Sequence, residues 1–180
     1  MFDLRAPILV LAAACAPAVH AASAAEIDRG VNHTLQRFSQ EVHGANNFLS
    51  IAKGVLVFPK VYKAGIGIGG EYGEGALRIG GRTVAYYNTV AGSFGFQLGA
   101  EAKSIVVIFT DERALEKFRH SEGWKVGVDG SVALVDVGIG KSIDTNTIKD
   151  PVIGFVFGQK GLMYNLTLEG AKFNKIDKKK

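Results

Sequence analysis

The stretch "KAGIGIGGEYGEG", residues 63–75, decides how the rest of the chain is read. Gly65, Gly67 and Gly70 stand in the order G-x-G-x-x-G of a dinucleotide-binding loop. Such a loop must follow a strand directly and open a helix whose N-terminus receives the pyrophosphate. Here "PKVYKA" separates the glycines from the apolar "VLVF" of residues 55–58, and "EYGEGALRIGG" then brings four more glycines with no helical period. No acid ends a second strand about twenty residues on, where the sequence reads "NTVAGSF". The spelling is therefore read as structural, and no nucleotide is expected. Gly65, Gly67 and Gly69 alternate with Ile66 and Ile68, so one face of this strand carries no side chains. Another backbone or an aromatic ring can lie against it, and Tyr72, Tyr86, Tyr87, Phe94 and Phe96 supply candidate rings.

The pattern changes to either side of this stretch. Ile27, Val31, Leu35, Phe38 and Val42 recur at intervals of four, four, three and four, which is one apolar face of a helix. That face either packs on its own domain, the commoner use of such a stripe, or lies on a membrane. "GANNFLSIAKG" reads as a second short helix closed by Gly54. From Gly54 onward the period is that of strands: "VLVF" ended by Pro59, "AGIGIGGEYGEGALRI", a turn at "GGR", "TVAYYNTV", "SFGFQLGAEA", and a "SIVVIF" apolar on both faces. "TDERALEKFRHSEG" is a third helix that Thr110 or Asp111 can cap. "WKVGVDGSVALVDVGIG", "PVIGFVFG" and "GLMYNLTLEGAKF" add three or four strands. The expected fold is α+β: a mainly antiparallel or barrel-like sheet, two short N-terminal helices and one internal helix. The 23 glycines against 4 prolines suit tight turns and closely approaching strands.

Residues 1–24 read as an export signal: a short head with Arg5, the apolar run "ILVLAAACA", and small residues for a peptidase at "VHA" (19–21) and "ASA" (22–24). Cys15, the single cysteine, lies within it, in a "LAAAC" that is an imperfect lipobox. The expected product, residues 25–180 as one domain, keeps the formal charge of +4 because Asp3 and Arg5 leave together. It is expected to be periplasmic or peripherally attached to an envelope membrane, anchored at Cys15 if that residue is acylated.

No catalytic or metal-binding constellation is spelled out. His33, His43 and His120 lie in no zinc spacing, and no G-x-S-x-G elbow occurs. Glu71 and Glu74, three apart on a strand, face opposite sides and read as solvated edge charges rather than a carboxylate pair. The basic residues Lys53, Lys60, Lys63, Arg78 and Arg82, interleaved with Phe58 and Tyr62, are the candidate anion-binding set. Facing a membrane they would meet lipid phosphates. A nucleic acid is not expected as partner of an exported chain.

"AKGVLVFPKVYKAGIGIGGEYGEGAL", "YYNTVAGSFGFQLGAEAKSIVVIFTDERALEKF", "GVDGSVA" and "KGLMYNLTLEGAKF" together resemble the SYLF domain over about residues 44–175. The resemblance implies binding of anionic phospholipids through basic residues and an N-terminal amphipathic segment, without catalysis or cofactor. Eukaryotic members also bind actin filaments. The export signal separates this chain from actin, so bacterial lipids such as phosphatidylglycerol or cardiolipin are the expected ligands. The alternative is a structural or protein-interaction module of the envelope.

Overall fold

A computed structural model of the chain describes residues 21–136, 149–160, 168 and 170–179. Residues 1–20, which hold Cys15 and most of the export segment, residues 137–148, and residues 161–167 at the start of "GLMYNLTLEGAKF" lie outside that description. The elements run α1 (Ala24–Glu41), α2 (Ala45–Ile51), β1 (Gly54–Ile79), β2 (Arg82–Phe109), α3 (Glu112–His120), β3 (Trp124–Lys125), β4 (Ala133–Asp136), β5 (Val152–Lys160) and β6 (Lys172–Ile176). All three expected helices are present, Asp111 capping α3 by accepting from the Ala114 N–H at 2.9 Å. The sheet is mainly antiparallel, as expected, with one parallel pair, β4 on β5.

The strands around the glycine stretch are longer than their sequence suggests. "VLVF" and the alternating glycine segment fuse into β1, and the three segments after the turn fuse into β2. Pro59 does not end a strand. It sits at a bulge, where the register shifts between Phe58 and Val61, a place where a missing N–H costs no ladder bond. Gly65, Gly67 and Gly70 all lie inside β1, and the chain continues as strand to Ile79, so no helix N-terminus follows them. Gly80 and Gly81 both take positive φ, as a two-residue primed turn requires, and deliver Arg82 opposite Ile79.

A straight strand of 26 residues would run roughly 85 Å, about twice the width of a domain this size. The β1–β2 hairpin bends back on itself instead. A Cβ on Gly65 would collide with the Gly69 Cα, which marks the bend. Beyond it the returning limb crosses the first: a Cβ on Gly73 would come within 2.6 Å of the Lys60 carbonyl oxygen, and one on Gly75 would strike the Val57 carbonyl oxygen and the Phe58 ring. The close backbone approach expected of the alternating glycines is thus made at Gly65, Gly73 and Gly75.

The fold-back creates two cores on the two faces of one sheet. Val55, Val57, Val106, Ile108, Ile153 and Phe155 point to one side, where α1 and α2 cover them with Ile27, Val31, Phe38, Val42 and Phe48. The helical stripe read from the sequence is therefore buried on the sheet. Leu56, Phe58, Leu77, Tyr87, Val107 and Phe109 point to the other side and pack with Leu115, Phe118, Trp124 and Phe173. Residues Ile105–Phe109 are buried on both faces, as their unbroken apolar run indicates. β2 is the spine of the sheet. β1 pairs along one edge, while β6 takes Tyr86–Val90 and β5 takes Ala102–Phe109 on the other.

At the bend the space between the limbs is polar. Lys103 of β2 and Lys63 of the first limb both reach Glu71 of the second, at 2.8 and 3.6 Å, and the Lys103 side chain is 2% exposed. Glu71 and Glu74 do face opposite sides, but neither is a solvated edge charge, since both side chains are nearly buried in ion pairs.

Unfolding of three variants by urea tests this architecture. Gly75→Ala is expected to lose on the order of 1–3 kcal/mol or more, because its methyl group must displace backbone. Gly70→Ala, whose Cβ meets nothing closer than 3.7 Å, is expected to stay within about 0.5 kcal/mol of wild type. Glu71→Gln leaves two buried ammonium groups facing a neutral amide and is expected to cost roughly 3–5 kcal/mol. A loss below about 1 kcal/mol would mean that the lysines do not depend on Glu71.

Candidate functional site

The folded hairpin leaves a groove of about 870 Å³ between α1 and the sheet. One wall is α1, whose Ile27, Gly30, His33, Thr34 and Arg37 recur at helical spacing along one side. Gly30 permits the contact: a Cβ there would press within 3.0 Å of the Pro59 ring, so helix and bulge meet closely at this point. The other wall is the outer face of β1 and β2, with Pro59, Lys60, Tyr62, Tyr72, Glu74, Ala102, Lys103 and Ser104. Ser104 Oγ donates to the Pro59 carbonyl at 2.9 Å and fixes the bulge that presents Lys60.

Tyr62 and Tyr72 come from the two limbs of β1 and stand 54% and 38% exposed. On the same strand face as Tyr72, two pleats away, Ile68 is 73% exposed. The Tyr72 hydroxyl donates to Glu74 Oε1 at 3.0 Å, and burial, reinforced by that carboxylate, raises its pKa above the ordinary phenol value. At the far end Arg37 forks onto Glu41 through two bonds of 2.8 and 3.0 Å and lies over the Phe157 ring. The groove thus joins the apolar Ile27 and Pro59 and half-exposed phenols to the cation Lys60, an arrangement able to hold an amphiphile by an apolar part and an anionic head.

The five basic residues of the candidate anion-binding set separate into two groups. Lys53, Lys60 and Arg82 are exposed and make no ion pair among the described residues. Lys63 is buried against Glu71. Arg78 is engaged with α1: it donates to Asn32 Oδ1 at 2.9 Å, to the Asp28 carbonyl at 3.4 Å and to the Gly81 carbonyl at 3.1 Å. Asp28 also accepts from Thr83 and from Tyr86, at 2.7 and 2.9 Å, so this cluster fastens α1 to the hairpin turn. Burial and the Asp28 bond raise the pKa of Tyr86. Lys53 stands just before β1 and Lys60 seven residues further along its first limb, roughly 20 Å away. Of the five, Lys60 lines the groove. Arg37 and Tyr72 line it without having been singled out in the sequence as binding residues. Arg37 could have been noticed as a cation one helical turn from His33, but only the fold shows that the strand passes beside it.

Residues 90–179 match a family model described as Ysc84, Las17-binding protein actin regulator. The matched half begins inside β2 and takes in α3 and β3 to β6, whereas most of the groove comes from residues before it. No curated protein is significantly similar to the chain. The family is the one that the SYLF resemblance names from a longer stretch of sequence. The chain belongs to the Ysc84, or SYLF domain, family.

Proposed function

We propose that the protein is exported and binds anionic phospholipid membranes peripherally, without catalysing a reaction. One observation carries this reading: Lys60 stands exposed at a groove beside Tyr62 and Tyr72, with Ile68 protruding from the same β1 surface. Phenols with an apolar body and a polar tip suit the headgroup level of a bilayer. An exposed lysine beside them meets lipid phosphate. The apolar part of the contact comes from β1 in this reading, not from α1, because the α1 stripe is already spent on the sheet. Membership in a family described as an actin regulator is compatible with a binding role, and the export segment directs that role to envelope lipids rather than to actin.

Sedimentation with vesicles tests the proposal. Lys63 and Arg78 are left alone, since changing either would disturb the fold. The triple variant Lys53→Gln, Lys60→Gln, Arg82→Gln is expected to stay folded and to bind phosphatidylglycerol or cardiolipin vesicles about a hundredfold more weakly, at about 1 kcal/mol per cation. The difference should shrink in high salt, as exposed charges are screened. Ile68→Ser should weaken binding at both salt concentrations. Neutral phosphatidylcholine vesicles should bind poorly in every case. Unchanged binding by the folded triple variant would overturn the basic surface. A wild-type chain that ignores all vesicles would point to the alternative, a protein-interaction module of the envelope.

A further inference from the structure

One end of the groove is closed by a cluster that gathers both ends of the described chain. The Ala22 backbone N–H donates to Glu74 Oε2 at 2.9 Å. The other carboxylate oxygen of Glu74 accepts from Lys178 Nζ at 2.8 Å and from the Tyr72 hydroxyl at 3.0 Å. Lys178 Nζ also donates to the Ala22 carbonyl at 2.8 Å. A carboxylate and an ammonium, about a tenth exposed, thus hold the two polar groups of one backbone residue. The neighbouring Ser23 caps α1 in a full capping box. Its backbone N–H donates to Glu26 Oε2 at 2.8 Å, and its hydroxyl oxygen accepts from the Glu26 N–H at 3.3 Å. The Ser23 backbone N–H, and the Ser23 hydroxyl that donates to the same Oε2 at 2.7 Å, lower the pKa of Glu26 below the ordinary carboxylate value. Ala24 follows, buried in the first turn.

The export segment offers a peptidase two cuts, after Ala21 and after Ala24, and an acylated start at Cys15. Spelling favours the second cut, because "ASA" places alanine at both small-residue positions. The fold favours the first. A chain beginning at Ala25 loses the clamp on Ala22, the Ser23 cap and the buried Ala24 methyl group. A chain beginning at Ala22 keeps all of them.

We propose that the chain is cut between Ala21 and Ala22, and that the Ala22 ammonium released by the cut docks on Glu74. The inference rests on the export reading above. Water, added by a signal peptidase, crosses the Ala21–Ala22 amide. Ala21 leaves with the new carboxylate, and Ala22 keeps the nitrogen and takes up the proton that makes it an ammonium. The nitrogen already lies at hydrogen-bond distance from Glu74, so an amide–carboxylate hydrogen bond becomes an ammonium–carboxylate ion pair with no movement of the backbone. The cut removes Ala21 from the groove lining and leaves the new terminus beside Tyr72 and Lys178 at that closed end.

N-terminal sequencing and intact mass of the full chain, exported by a bacterial host, test the cut. A start at Ala22 is expected. A start at Ala25 or at an acylated Cys15 would overturn the inference and leave export standing, whereas an intact chain from Met1 in the cytoplasm would overturn both. Docking is read from the rate of α-amine acylation near neutral pH, where lysine side chains are still protonated. The Ala22 amine of the native protein is expected to react roughly tenfold more slowly than in the Glu74→Gln variant. The same native protein compared with itself in urea gives a second readout that does not require the variant to fold. Equal rates in urea and in buffer would overturn the docked ammonium.

Discussion

The crossing of β1 over itself is the constraint on which the other features depend. Two backbones approach at Gly73 and Gly75 with no side chain between them, and this lets a hairpin too long for the domain fold into it. The crossing turns one sheet into a two-sided support. Each residue from Val55 to Phe58 points alternately to the helices or to the enclosed core, so both faces must be apolar. It also brings Glu71 to Lys63 and Lys103, and sets Tyr62 beside Tyr72 although ten residues of chain separate them. The groove is a product of the same fold-back, because its sheet wall uses both limbs.

Local order was legible where the signal is local. The helical stripe of α1, the capped start of α3 and the doubly buried run at residues 105–109 follow from period and caps alone. Glycine alternation announced a close approach. The limb that makes it was not legible, since Gly65, Gly67 and Gly69 have the same spelling as Gly73 and Gly75. Pro59 read as a terminator because a bulge has no spelling of its own. The different placement of the basic residues was illegible for a related reason. Strand alternation sends Lys60 and Lys63, three residues apart, to opposite faces, but only the crossing decides that the face Lys63 takes is the buried one. The same holds for Arg78, whose partners Asp28 and Asn32 lie 50 and 46 residues away.

The tie between α1 and the hairpin turn has its own physical sense. Asp28 is surrounded by Arg78, Thr83 and Tyr86, so the helix is registered on the sheet by directional polar bonds as well as by its apolar stripe. Apolar packing alone would let a helix slide by a turn at modest cost. Asp28 makes one position better than its neighbours, and that position fixes where Gly30 meets Pro59 and therefore how wide the groove is.

The place of β2 as spine sets a condition on when the molecule can be complete. Its edge at Tyr86–Val90 is satisfied by β6, and Asn88 meets Asn174 across 86 residues of intervening chain. Contacts so far apart in sequence make folding slow. A chain made from its N-terminus has β1 and β2 in hand long before β6 is complete. During that interval β2 carries an open edge of unpaired backbone groups, a template for pairing with other chains. β6, five residues close to the end of the described chain, therefore decides how long the incomplete protein stays vulnerable to aggregation.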